Sequence, residues 1–223
     1  MAAKMVTPAV KDTALVLVDM QNGFCKPGGT FDRAGVSIDG VARTIDPCAR
    51  LVAAAHDSQI PVIFTQAWFR ADGADTGFSV GEIMQRRKSD ELIAADSWDA
   101  EIIEELRPQP EDFVVRKFRF SPFHGSGIEP LLSALRVGNL VVCGLTTSIC
   151  VESTVRDASA RDYRVFVPED AVAEYDPGMH AASLRVMEYC FAYITSTQAV
   201  VEAWQTAPAD QPRVPEVLEA DGR

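Results

Sequence analysis

Short apolar runs alternate along the chain with stretches of helical periodicity. Ala14–Val18, Pro61–Thr65, Phe113–Val115, Leu140–Cys143, Arg164–Val167 and Phe191–Ile194 are of strand length and rich in apolar residues. Between them, apolar positions recur three and four apart over 41–56, 100–106, 128–135, 150–161, 178–189 and 197–204. Apolar strands without in–out alternation, separated by helices, form parallel sheets covered on both faces. The pattern predicts a three-layer α/β/α, doubly wound fold with a six-stranded, mainly parallel sheet of Rossmann-like type. One domain is expected over 13–206, after an N-terminal tail (1–12) and before a Pro-containing tail (207–223). That last tail reads as disordered or extended, with an arm lying on a neighbouring subunit as the sharper option. The stretch 70–98 is polar and irregular, with Gly73, Gly77 and Gly81.

Length agrees with one domain: 223 residues is near the usual size of about 150 residues per domain plus short extensions. The chain carries 21 basic and 32 acidic side chains, a net charge of −11. That balance argues against nucleic acid and anionic membrane surfaces, since phosphate binding needs a local excess of Lys and Arg. No apolar run approaches the roughly 20 residues that span a bilayer, and MAAKMVTPAV lacks the apolar core of a secretory signal. The five cysteines, at 25, 48, 143, 150 and 190, are odd in number and contain no CxxC pair. No disulfide framework or zinc ribbon is signalled. Free thiols and a reducing, cytoplasmic location are expected.

Doubly wound sheets bind ligands beyond the carboxyl ends of their strands. At those ends stand Asp19 after the first strand, Gln66 to Arg70 after the second, Lys117 to Phe120 after the third, and Gly144 to Cys150 after the fourth. A carboxylate, a lysine and a thiol therefore converge from distant positions. Cys150 opens a helix, where the positive end of the macrodipole favours a thiolate and backbone N–H groups are free to hold an oxyanion. The alternative for Cys150 is a small buried core residue. Cys48, Cys143 and Cys190 read as core filler, and Cys25 as a loop residue near Asp19. His56 and His180 read as surface or structural, and His124 as a residue near the pocket.

Three blocks carry a resemblance: Leu17-Val-Asp19-Met-Gln21-Asn-Gly-Phe24, Arg116-Lys117-Phe-Arg119-Phe-Ser121-Pro-Phe123, and Cys143-Gly-Leu-Thr-Thr-Ser-Ile-Cys150-Val-Glu-Ser-Thr-Val-Arg156-Asp157-Ala. In this order they resemble the isochorismatase-like cysteine hydrolases, from about Thr13 to Trp204. The resemblance implies a catalytic triad of Asp19, Lys117 and Cys150, and an oxyanion hole from the backbone N–H groups of Thr146 and Cys150. It also implies a cis peptide between Leu145 and Thr146, no cofactor, a small-molecule substrate, and a homodimer or homotetramer. In an oligomer, the stretch 70–98 is placed to help close a neighbour's pocket.

Within the family, retention of Cys150 favours C–N bond hydrolysis through a thioester over vinyl ether cleavage of the isochorismatase type. A non-catalytic domain that keeps the three residues is the other alternative. Nicotinamidases carry metal-binding Asp and His after the second strand. Ala67 and Phe69 stand there in this chain, so no metal is expected. The block from Val141 to Asp157 looks most like the ureidoacrylate-type branch, beside N-carbamoylsarcosine-type hydrolases. Phe24, Trp68, Phe120 and Phe123 are the candidate pocket walls. Arg70, Arg86 and Arg87 are the candidates for holding a substrate carboxylate. Arg119 reads as structural, and Arg156 with Asp157 as a supporting polar pair.

Overall fold

A computed structural model describes residues 6–84 and 93–207. Seven strands form one sheet: β1 (Thr13–Val18), β2 (Val62–Ala67), β3 (Phe113–Lys117), β4 (Asn139–Leu145), β5 (Arg164–Pro168), β6 (Val172–Ala173) and β7 (Tyr193–Thr195). Eight α-helical segments accompany them: α1 (Asn22–Cys25), α2 (Thr30–Arg33), α3 (Asp39–Ala42), α4 (Ile45–Asp57), α5 (Ile128–Ala134), α6 (Glu152–Ser159), α7 (Pro177–Cys190) and α8 (Thr197–Gln205). The strand order is β3-β2-β1-β4-β5-β7, with β6 paired to β4 off this path. Every ladder is parallel. The expected doubly wound architecture is present. The strand β6, absent from the sequence reading, is two residues long and has no periodicity to detect.

The two faces of β1 show why the strands lack polar positions. Leu15 and Leu17 pack into one apolar cluster with Leu51 of α4 and Val200 of α8. Ala14, Val16 and Val18 pack into another with Leu132 of α5, Val155 of α6 and Met187 of α7. A strand covered on both sides has no solvent face, and all six residues of β1 are buried. Packing begins before Thr13: Val10 is buried in the first cluster, and Asp12 O accepts hydrogen bonds from Gly138 N and Asn139 N. So the part of the expected 1–12 tail next to β1 belongs to the packed body, whereas 208–223 lies outside the described residues.

Two helical expectations change. The segment 100–106 is not a continuous helix but two single 3₁₀ turns, Trp98–Ala100 and Glu104–Leu106. The reason is tertiary pairing: Ile102 bridges to Gln21, and Ile103 N donates to Met20 O. The segment carrying Cys150 opens with a wide turn over Thr147–Val151 before α6 begins at Glu152.

The chain runs outward from β1 through β2 to β3, then returns to β4 and runs the other way. The order therefore reverses between β1 and β4, where parallel sheets open a crevice. Two backbone features set that point. Gly144 has φ +105°, and a Cβ there would lie 2.2 Å from Val18 O and 2.7 Å from Val18 N, so only glycine lets β4 come this close to the end of β1. Asp19 turns out of β1 with φ +51°, a left-handed conformation that Asp tolerates better than most residues. The Leu145–Thr146 peptide is cis.

Candidate active site

Three strand ends deliver three ionisable side chains to this crevice. Lys117 Nζ lies 2.6 Å from Asp19 Oδ2, and their side chains are 2% and 0% exposed. The same Nζ is 3.5 Å from Cys150 Sγ and donates to Arg119 O at 3.2 Å. Asp19 is fixed from its other side. Thr65 Oγ1 in β2 donates to Oδ1 at 2.8 Å, and Asp19 N donates back to Thr65 Oγ1 at 3.2 Å. Two fully desolvated charges persist in such a place only as a hydrogen-bonded pair.

The electrostatics correct one expectation. The start of a helix favours a thiolate at Cys150, but burial outweighs it. Desolvation pushes the thiol up to about 12, Lys117 pulls it down, and Asp19 pushes it up again. Burial therefore holds Cys150 as a thiol at neutral pH, with the Lys117 ammonium 3.5 Å from its sulfur. Burial by itself would lower Lys117, yet Asp19 and Cys150 beside it hold it above its ordinary value.

Over this floor lies a cavity of about 220 Å³. Phe24, Phe31, Phe69, Phe120, Tyr175 and Met179 contribute to its wall, and Lys117, Thr146 and Cys150 to its base. Of the expected pocket residues, Phe24 and Phe120 line the cavity. Trp68, Arg70 and Phe123 do not. Side chains alternate along β2 and its extension, so Ala67 and Phe69 face the cavity while Trp68 stacks under the Arg116 guanidinium, 3.9 Å away. Arg70 is exposed and paired with Asp72 at 2.6 Å. Phe123 is packed in the cluster with Ile128 and Val155. Arg86 and Arg87 lie outside the described residues. Among the described residues the arginine that lines the cavity is Arg119, its Nη1 tied to Asp75 O at 3.0 Å and to Phe118 O. Cys25 is buried and Cys190 is exposed, the latter because α7 ends there at the surface. His56 pairs with Asp112 at 2.8 Å, His124 is exposed, and His180 Nδ1 meets Thr147 Oγ1 at 2.9 Å.

Three contributors, Glu174, His180 and Ser183, lie outside the motif blocks. Glu174 Oε2 accepts from Ser148 N at 3.2 Å and Ser148 Oγ at 2.6 Å. Ser183 Oγ donates to Thr147 O at 3.2 Å. With His180, these ties hold the turn before Cys150 to the segment 174–183. Gln21, fully buried, joins the ends of β1 and β2: its amide donates to Ala67 O and Ala100 O, both at 2.9 Å, and accepts from Ala67 N at 2.8 Å. The one sequence signal was a polar residue inside or just after an apolar run, as for Thr65 and Gln21.

Residues 13–199 match the model of the Isochorismatase domain. The chain belongs to the isochorismatase family. This family member is 34% identical over 212 residues to ureidoacrylate amidohydrolase RutB of Azorhizobium caulinodans, covering 90% of this chain and 93% of that one. It is 34% identical to the RutB of Acinetobacter baylyi, covering 88% and 85%. A solved cysteine hydrolase from Pseudomonas syringae pv. phaseolicola superposes with a TM-score of 0.80 at 31% identity, over 93% of this chain and all of that one. N-carbamoylsarcosine amidase from Thermoplasma acidophilum superposes with a TM-score of 0.66 at 28% identity, over 83% and 96%. The family hydrolase has no helix among the described residues that is long and apolar enough to cross a membrane.

Proposed function

We propose that this hydrolase cleaves the C–N bond of a small amide, ureido or N-carbamoyl substrate through a thioester on Cys150. The observation that carries the proposal is the contact of one buried lysine with both a carboxylate, at 2.6 Å, and a thiol, at 3.5 Å. Relatives named amidohydrolases support the choice of bond.

Asp19 takes the Cys150 proton as the sulfur attacks the substrate carbonyl carbon. The C=O electron pair moves to oxygen, and the oxyanion sits on the backbone N–H groups of Thr146 and Cys150. Lys117 keeps the site from gathering uncompensated negative charge. Collapse reforms C=O and breaks C–N, and the protonated Asp19 gives its proton to the leaving amine. Water then attacks the thioester and gives a proton to Asp19. The acid leaves, a carbamic acid where the substrate is a ureide, and the thiol takes its proton back. A thiol held near pKa 12 needs such a base at the moment of attack.

The clean test is Cys150→Ser, because removing Asp19 or Lys117 would strand a buried charge at a cost of about 3–5 kcal/mol. Ammonia release from a panel of carbamoyl amino acids, ureido acids and primary amides should fall by at least about 10⁴-fold. Mass spectrometry of quenched wild-type enzyme should show an acyl adduct on Cys150. Turnover of any of these substrates by Cys150→Ser at the wild-type rate would exclude the thioester route.

A further inference from the structure

We infer that this site is built for an amide or ureide carrying one uncharged, ring-sized apolar group, an inference that rests on amide hydrolysis at Cys150. Three observations lead there. The first is that, among the described residues, most polar groups of the cavity lining have partners within the protein. Arg119 gives Nη1 to two backbone carbonyls. Glu174 receives Ser148 and the Tyr175 amide. Asp176 Oδ1 caps α7 at Met179 N. Thr30 donates to Asp99 at 2.6 Å, and the Tyr175 hydroxyl donates to Phe24 O at 2.9 Å. A substrate carboxylate would give up its own water beside Glu174 and Asp176, two carboxylates of like charge.

The second observation is an aromatic ladder. The Phe24 and Phe31 centroids are 5.1 Å apart, and Phe31 stacks on Tyr175 at 4.9 Å and 16°. Phe69 and Phe120 also line the cavity. Rings locked by one another and by the Tyr175 hydrogen bond offer a rigid face, which a planar apolar group meets at little entropic cost. The third is size. An apolar cavity of about 150 Å³ holds benzene. At about 220 Å³, this one admits a single ring with a carboxamide or urea attached, and not a second ring.

Phenylacetamide and 3-ureidopropionate separate this class from small ureido acids. Titrated calorimetrically into Cys150→Ser, phenylacetamide should bind at least about tenfold more tightly. With wild-type enzyme its kcat/KM for ammonia release should exceed that of 3-ureidopropionate by a similar factor. Phe31→Ala should lower kcat/KM for phenylacetamide about tenfold through KM, and Phe31→Leu should lower it less. Circular dichroism of both variants would verify that they fold. Equal or tighter binding of 3-ureidopropionate, or binding of neither compound, overturns the inference. If 3-ureidopropionate is bound and hydrolysed preferentially, amide hydrolysis at Cys150 survives while the inference falls. If phenylacetamide binds selectively and neither compound releases ammonia, the recognition is upheld and the hydrolytic reading fails.

Discussion

The floor of the cavity is made by strand ends, and its wall by the short segments between strands. Asp19 and the turn to Cys150 follow the buried strands β1 and β4, and Lys117 ends the edge strand β3, so backbone pairing sets their positions. Val18 is opposite Gly144 in one ladder and Ala67 opposite Lys117 in another. Phe24 and Phe31 belong instead to four-residue helices, and Tyr175 to an irregular link before α7. These are positioned by one another's rings and by single hydrogen bonds. The floor is rigid because the sheet is. The wall is rigid only as far as its own contacts make it so. Chemistry that needs sub-ångström placement stands on the first, and selection of the substrate's remainder rests on the second.

The largest way to break this contrast is at Gly144. A methyl group there would sit 2.2 Å from Val18 O in a backbone with φ +105°. Overpacking against backbone and the left-handed strain both act, so Gly144→Ala should destabilise by roughly 3 kcal/mol or more. The urea midpoint should fall, and activity should fall further than the folded fraction explains, since β1 and β4 separate where they hold Asp19 and Cys150. A midpoint shift worth less than about 0.5 kcal/mol would mean that the floor does not depend on this close approach.

Alkaline titration compares the two regions next. Burial holds the Cys150 thiol up to about 12 in the floor. It also raises the Tyr175 phenol in the wall and the Cys25 thiol in the core. Between an ordinary thiol value near 9 and these raised values, the unfolded chain has lost protons that the folded chain keeps. Stability is therefore full below about pH 9 and declines above it, by about 1.4 kcal/mol per pH unit for each such group. Lys117, raised above its ordinary 10.5, adds a loss of the same sign at higher pH. Chemical unfolding at pH 7, 9 and 10 should show the decline, and Cys150→Ser should make it shallower by one group's share. Constant stability over this range would contradict a Cys150 thiol held well above its ordinary value.

The same contrast explains what the sequence made legible. The six main strands, their parallel arrangement and the convergence of Asp19, Lys117 and Cys150 follow from apolar runs and from what stands at their ends. That information is local, because a strand buried on both faces leaves its pattern in its own residues. The wall was legible only in part. Phe24 and Phe120 lie within the motif blocks and line the cavity, whereas Phe31, Phe69 and Tyr175 lie outside the expected set. An aromatic residue in a loop has no periodicity to say which way it faces. Trp68 and Phe69 are adjacent and face opposite ways, so a composition argument picks between them blindly. The ties from Glu174 and His180 to the turn before Cys150 join residues more than 25 positions apart. They become visible only when β6 brings the 174–183 segment back beside β4.

The smallest expected effect tests whether the wall has a structure of its own. Tyr175→Phe keeps the ring stacked on Phe31 and removes only the hydroxyl that donates to Phe24 O at 2.9 Å. One neutral hydrogen bond contributes about 1 kcal/mol net, and the half-buried carbonyl left behind can regain part of that from water. The unfolding free energy should fall by about this much. The hydroxyl's hydrogen bond goes to Phe24 O and not to Asp19, Lys117 or Cys150, so kcat for a small acyclic amide should stay within about twofold. KM for a ring-bearing amide should rise, because α1 and the link before α7 are no longer pinned together and the ladder loses its fixed spacing. A matching loss of kcat for both substrates would show that wall and floor act as one unit, and the contrast between them would not hold.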